Sequence, residues 1–164
     1  MYDNRDCWWC NNYEMVLYGA RCVNRLVYRD AYTYVIVPLE SHVRHHLLVV
    51  LREHRDTLID CDEKHLRHIG ATVAKTCKVL RSTGYDRVYA GCYSDDRHVH
   101  YHLIPFIKAA DKPYDGYAMH RLAVKERLSA AHPFCGMTDL EKLARLDEIG
   151  IVVADIRGAW PTGG

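Results

Sequence analysis

His98-Val99-His100-Tyr101-His102-Leu103-Ile104-Pro105 is the stretch of this chain most suited to chemistry. In an extended strand, alternate side chains share a face. His98, His100 and His102 therefore line one surface, while Val99, Tyr101 and Leu103 line the other. Three imidazoles in a row are costly as a buried core face and needless on a solvated one. A site that needs a metal ligand beside a nucleophile or proton donor wants this array. A second group lies far upstream. The spacing in Cys7-Trp8-Trp9-Cys10 lets both thiolates reach one ion. Alone, such a pair serves zinc, redox chemistry or neither. A redox pair of the thioredoxin type follows a strand and opens a helix, whereas this one precedes Asn11-Asn12 and a strand, which weakens the redox reading. His42, His45, His46 and His54 form a further cluster between the two groups. His65 and His68 fall on a helix and read as surface residues, and His120 and His132 belong to no motif.

These side chains need elements to hold them. Tyr13–Tyr18, Leu26–Tyr28 and Tyr32–Leu39 are rich in Tyr and Val and read as strands, with a turn at Arg29-Asp30 between the last two. Leu47–Leu51 is a continuous apolar run, as expected of a strand buried on both faces. From Asp62 to Ser82 the period changes. Leu66, Ile69, Val73, Cys77 and Leu80 recur at spacings of three and four and draw one stripe along a helix. Asp62 suits its N-cap, and Gly84 sits where a left-handed residue is wanted after its end. Two strands follow, Arg87–Cys92 and Val99–Ile107. After a polar connector, Tyr117–Ala131 reads as a helix stopped by His132-Pro133. Thr138-Asp-Leu-Glu141 is a capping box that opens another helix, expected to end at Gly150, and Trp160–Gly164 reads as a frayed tail. The order β-β-β-β-α-β-β-α-α implies an α+β domain with a mainly antiparallel sheet and one long helix.

Composition narrows the function classes. The 164 residues suit one domain with a sizeable core. Twenty-two Lys and Arg against 21 Asp and Glu leave a net charge of +1, so no basic field exists to coat a nucleic-acid polymer. The longest apolar runs are too short to span a membrane, and the polar start Met1-Tyr-Asp-Asn-Arg-Asp shows no signal peptide. Seven scattered Cys, an odd number, argue for a reducing compartment and a cytoplasmic location rather than a disulfide framework.

The histidine strand resembles the signature of the histidine triad (HIT) family of nucleotidyl hydrolases and transferases, His-φ-His-φ-His-φ-φ, with φ hydrophobic. His46-Leu-Leu-Val-Val-Leu-Arg-Glu-His54 resembles the family's upstream strand, usually Gly-His-x-Leu-Val-x-Pro-x-x-His, although Leu51 stands where Pro is usual. The long helix, Gly84 and the strand into the triad follow in the family order. The likeness runs from Cys7 to Phe106. It implies a HIT-like fold for residues 1–108, with residues 109–164 as a helical extension packed on the same domain.

The resemblance also implies roles. His100 would attack the α-phosphorus of a nucleotide and form a covalent nucleotidyl-histidine, its other nitrogen holding a proton on a backbone carbonyl of its own strand. His102 would contact the phosphate oxygens or leaving group. Members with an N-terminal Cys-x-x-Cys hold zinc, and the carried-over ligands are Cys7, Cys10, His54 and His98, with His42, His45 and His46 as rivals to His54. Two sulfurs and two nitrogens make a closed, structural site. Where many members have Gly-x-Ser/Thr-Val before the triad, this chain has Ser94-Asp95-Asp96-Arg97 in a shorter loop. Ser94 would replace the usual hydroxyl, and Arg97 would offset the two carboxylates near phosphate. The resemblance implies a homodimer with the long helix at its interface. Related possibilities are a phosphorylase using the same site, and a nucleotide-binding or scaffold protein with weak residual activity.

Overall fold

A computed structural model describes residues 7–11, 25–39, 43–92, 97–106 and 138–161. The expected strand at Tyr13–Tyr18, the helix at Tyr117–Ala131 and the Ser94–Asp96 loop lie outside the described residues. Five strands, β1 (Leu26–Arg29), β2 (Thr33–Ile36), β3 (Leu47–Leu51), β4 (Arg87–Cys92) and β5 (His100–Phe106), form one antiparallel sheet in the order β1-β2-β3-β5-β4. The helices are α1 (Trp8–Asn11), α2 (Glu63–Ser82) and α3 (Asp139–Ala159), with a 3-10 turn at Leu58–Asp60. Among the described residues no helix is long and apolar enough to cross a membrane.

The sheet separates two apolar clusters. Leu47, Val49 and Leu51 of β3 join Val35, Val99 and Leu103 beneath α2 and α3. The alternate residues Leu48 and Val50 join Tyr34, Ile36, Cys7 and Trp9 on the opposite face. A strand with no polar position is what burial on both faces requires, so Leu47–Leu51 forms as its composition predicts. Each such side chain contributes about 1.5–3 kcal/mol by leaving water. The register then sets the function-bearing face. Val50 lies opposite His100 and Leu48 opposite His102, so the histidines share the face of the second cluster.

The ends of α2 follow the local chemistry. Asp62 accepts from the His65 N–H at 2.9 Å, and Gly84 adopts φ 102°. Its buried stripe is rotated from the expected one. His65, Ile69, Thr72, Thr76, Val79 and Leu80 face inward, and Leu66 is 42% exposed. Hydrogen bonding makes the polar positions tolerable, because the Thr72 hydroxyl meets that of Thr33 at 2.9 Å and Thr76 donates to the Thr72 carbonyl at 2.7 Å.

Helix α3 also corrects the expectation. The capping box forms as read, with Glu141 N–H donating to Thr138 at 3.3 Å. The helix does not stop at Gly150 but runs on to Ala159. A mid-helix glycine costs about 1 kcal/mol, less than is gained by seating Ile149, Val152, Val153 and Ile156 in the core. The expected fraying at Trp160 does not occur either. Its ring stacks on Tyr28 at 4.6 Å, with the Lys75 ammonium 4.7 Å above Tyr28.

Candidate active site and metal centre

Helix α1 is a single turn, closed by Asn11 N–H donating to the Cys7 carbonyl at 3.0 Å. That turn stacks Cys7 and Cys10 on one face. The approach to β5 is tied to the segment after β3, since Val99 N–H donates to the Arg55 carbonyl at 2.8 Å and Leu51 N–H to the Val99 carbonyl at 3.2 Å. His54 and His98 are thereby brought together from positions remote in sequence. The Sγ and Nδ1 atoms of Cys7, Cys10, His54 and His98 all lie within 4.8 Å of one another. The Cys7–His98 and Cys10–His54 separations are each 3.4 Å, and Cys10–His98 is 3.7 Å. A tetrahedral ion with metal–sulfur bonds of about 2.3 Å and metal–nitrogen bonds of about 2.0 Å needs sulfur and nitrogen about 3.5 Å apart. The donor set and its spacing fit such an ion.

The surroundings orient these ligands. His98 donates Nε2–H to the Leu51 carbonyl at 2.8 Å, and His54 donates Nε2–H to Asp56 at 3.1 Å. Both rings thus turn an unprotonated Nδ1 toward the two sulfurs. Burial pushes the His98 imidazole down to about 4, so it is neutral at pH 7, as a ligand must be. Burial, and then the adjoining Cys7, push the Cys10 thiol up to about 12. Two thiolates side by side here need a cation.

Two residues along, His100 is oriented the opposite way. Its Nδ1–H donates to the His98 carbonyl at 2.7 Å, on the segment just before β5 rather than within the strand itself as expected. Its Nε2 carries the lone pair and lies 3.1 Å from His102 Nε2. With His100 Nε2 as acceptor, His102 donates Nε2–H. Its Nδ1, an acceptor in turn, lies 3.1 Å from His46 Nε2. One fixed carbonyl therefore orders the hydrogen bonds of three imidazoles in a row. His100 is fully buried and His102 is partly open. The Trp9 ring lies 5.2 Å from the His100 ring and 6.2 Å from His98, packed between the two groups.

Of the rivals to His54, His46 sits against His102, and His45 sits against Tyr85. His42 and Ser94 lie outside the described residues. Arg97 is exposed, directly before His98, with φ 50°. Sequence reasoning missed His46 as a partner of the triad and Trp9 as its packing. The family-like upstream block held the signal for His46, and nothing in the sequence marked Trp9. His65, expected at the surface, is buried, with Nε2 2.9 Å from Glu53 and Nδ1 2.7 Å from Asp62. The Glu53 carboxylate satisfies Nε2 of a ring that helix periodicity alone places outside, while Nδ1 is near Asp62 without hydrogen-bond geometry. His68, read the same way, is half-buried and stacks on Tyr32 at 3.8 Å.

No family model and no curated protein matches the chain. Solved structures do. A HIT-like protein involved in cell-cycle regulation from Bartonella henselae is 16% identical with a TM-score of 0.63, over 97% of this chain and 99% of that one. A Zn-bound histidine triad family protein from Mycobacterium smegmatis is 14% identical with a TM-score of 0.57, over 96% of this chain and 99% of that one. The diadenosine triphosphate hydrolase of Plasmodium falciparum is 12% identical with a TM-score of 0.53, over 84% of this chain and 79% of that one. The fold of this chain is therefore the fold of the histidine triad proteins, as its histidine strand foretold.

Proposed function

We propose that this chain is a HIT-family nucleotide-phosphate hydrolase or nucleotidyltransferase, acting through a covalent nucleotidyl-histidine at His100. One observation carries the reading: the His98 carbonyl holds His100 Nδ1–H at 2.7 Å and leaves the Nε2 lone pair beside His102. An imidazole in that tautomer attacks while neutral. The solved Plasmodium protein of the same fold is a diadenosine triphosphate hydrolase, which agrees with a nucleotide substrate.

The residues divide the work as follows. The His100 Nε2 pair forms a bond to the α-phosphorus, and the bond from phosphorus to the leaving group breaks. The leaving atom keeps that electron pair and takes the proton from His102 Nε2. His102 enters the step as the imidazolium, having taken a proton from solvent, so that loss of its Nε2 proton leaves a neutral ring and no imidazolate in the row. In the second half, an acceptor hydroxyl or water adds to phosphorus, its proton returns through His102, and the bond to His100 breaks. Arg97, exposed directly before His98, would contribute a phosphate contact, and Ser94 keeps that role as the sequence assigns it.

Cys7, Cys10, His54 and His98 would hold a zinc ion. Its role is structural: four protein ligands fill a tetrahedron and leave no open position for substrate. It would fasten the one-turn helix carrying Trp9 to the strand that carries His100. The remaining assignments are a homodimer and a cytoplasmic location.

Intact mass spectrometry after mixing with adenosine 5′-phosphoramidate and with dinucleoside polyphosphates tests the core of this reading. A mass increase of one nucleotidyl group, absent from His100→Ala, is expected. Turnover without any His100-dependent adduct under rapid quench sinks the mechanism. The same assay with and without inorganic phosphate separates hydrolase from phosphorylase.

A further inference from the structure

The turn that delivers His46 is built against its own backbone preference. His45 has φ 62°, a left-handed conformation that glycine adopts freely and a residue with a Cβ does not. The family pattern that the upstream block resembles usually has glycine at this position. A buried imidazole stands here instead, and its polar atoms are all engaged. Arg44 donates Nε–H to His45 Nε2 at 3.4 Å. His45 donates Nδ1–H to the Tyr85 hydroxyl at 3.0 Å, and Tyr85 donates to the Arg44 carbonyl at 3.3 Å. The Tyr85 ring meets His45 edge-on at 5.6 Å. Arg44 pairs with Asp155 at 2.7 Å, and the same carboxylate oxygen lies 3.4 Å from His45 Nε2. Burial lowers the His45 imidazole below its usual range, in keeping with a neutral ring at this position.

The bonded ring spans three parts of the molecule: the turn before β3, the segment that follows Gly84, and the C-terminal part of α3. The residue after His45 is His46, 3.1 Å from His102. We propose that His45 is a positioning residue, whose ring of bonds with Arg44, Tyr85 and Asp155 ties the turn to α3 and fixes where His46 meets His102. The proposal rests on the reading of His102 as proton donor. A hydrogen bond between two imidazoles falls off steeply with angle and distance. A glycine turn reaches the same φ but samples its mirror conformation as well. The latched side chain removes that freedom, so the backbone strain serves preorganisation.

His45→Gly is the informative variant, because it deletes the latch and relieves the strain together. Thermal stability should hold or rise. With adenosine 5′-phosphoramidate as probe, kcat should fall about tenfold while KM stays within about twofold, since preorganisation acts on the reacting arrangement rather than on binding. Asp155→Ala should move kcat the same way by less. The double variant should be no worse than His45→Gly, as expected of residues in one network. A second readout needs no turnover. In protein labelled with nitrogen-15 at histidine, His102 should hold one tautomer in the parent and a mixture in His45→Gly. A single His102 tautomer surviving in His45→Gly, with kcat unchanged, overturns the proposal. If the parent turns over no nucleotide probe, the proposed activity fails, and the nitrogen shifts still decide the role of His45.

Discussion

His98 and His100 stand two residues apart at the entry to β5, both buried, both anchored by a backbone carbonyl, and they do opposite things. His98 gives Nε2–H to Leu51 and turns Nδ1 inward to two cysteines. His100 gives Nδ1–H to His98 itself and turns Nε2 toward His102. Residue type and burial are the same. The difference is which ring nitrogen the carbonyl takes, and that decides which nitrogen is left for chemistry. Leu51 belongs to the neighbouring strand, so His98 is oriented by sheet pairing. The His98 carbonyl lies only two residues away, on the segment that enters β5, so His100 is oriented locally. The proposed metal site therefore depends on tertiary assembly, while the proposed nucleophile is largely prepared by its own segment.

The most severe way to break the comparison is His100→Ala. Turnover should fall roughly 10⁴-fold or more, as for other deleted nucleophiles, while bound zinc and melting temperature stay near the parent's. A variant that retains turnover within an order of magnitude removes the distinction between the two ends. His102→Ala comes next in turnover, with a loss of roughly 10²- to 10³-fold in kcat, the usual range for a proton donor. That loss should shrink for a substrate whose leaving group departs without a proton. If it is the same for all leaving groups, His102 is not the donor.

The metal end should break differently. The double variant Cys7→Ser/Cys10→Ser should lose zinc, and about 3 kcal/mol or more of stability with it. The melting temperature should then drop by roughly 10 °C, with activity falling as a consequence. Elemental analysis and calorimetry read both together, and unchanged zinc content refutes the assigned ligands. Trp9→Phe is the mildest probe, because it keeps an aromatic ring between the ends. Zinc should be retained and kcat should fall within about threefold. Loss of metal in Trp9→Phe would mean that the ring builds the ligand cluster rather than packing on it.

Much of this site is legible in the primary structure because period and short spacing are local properties. Alternation along His98–Leu103 forces three histidines onto one face whatever the sheet around them. One helical turn brings Cys7 and Cys10 together. Asp62, Gly84 and the Thr138–Glu141 box end or open helices through torsions and hydrogen bonds a few residues long. Other features are not local. Whether His46 or His54 reaches the cysteines depends on β3 pairing with β5 across about half a hundred residues, and helical or strand period carries no record of it.

The sequence by itself determined the triad face, the cysteine pair, the doubly buried β3 and the long helix, since each follows from the backbone geometry of a short segment. Only the tertiary structure decided that His54 joins the cysteines, that His46 joins His102, that His65 is buried between carboxylates, and that α3 runs past Gly150. In each case the deciding free energy comes from a partner remote in the chain. The apolar core pulls α3 through its glycine, Glu53 satisfies a buried His65, and the Leu51 carbonyl turns His98 toward the metal ligands.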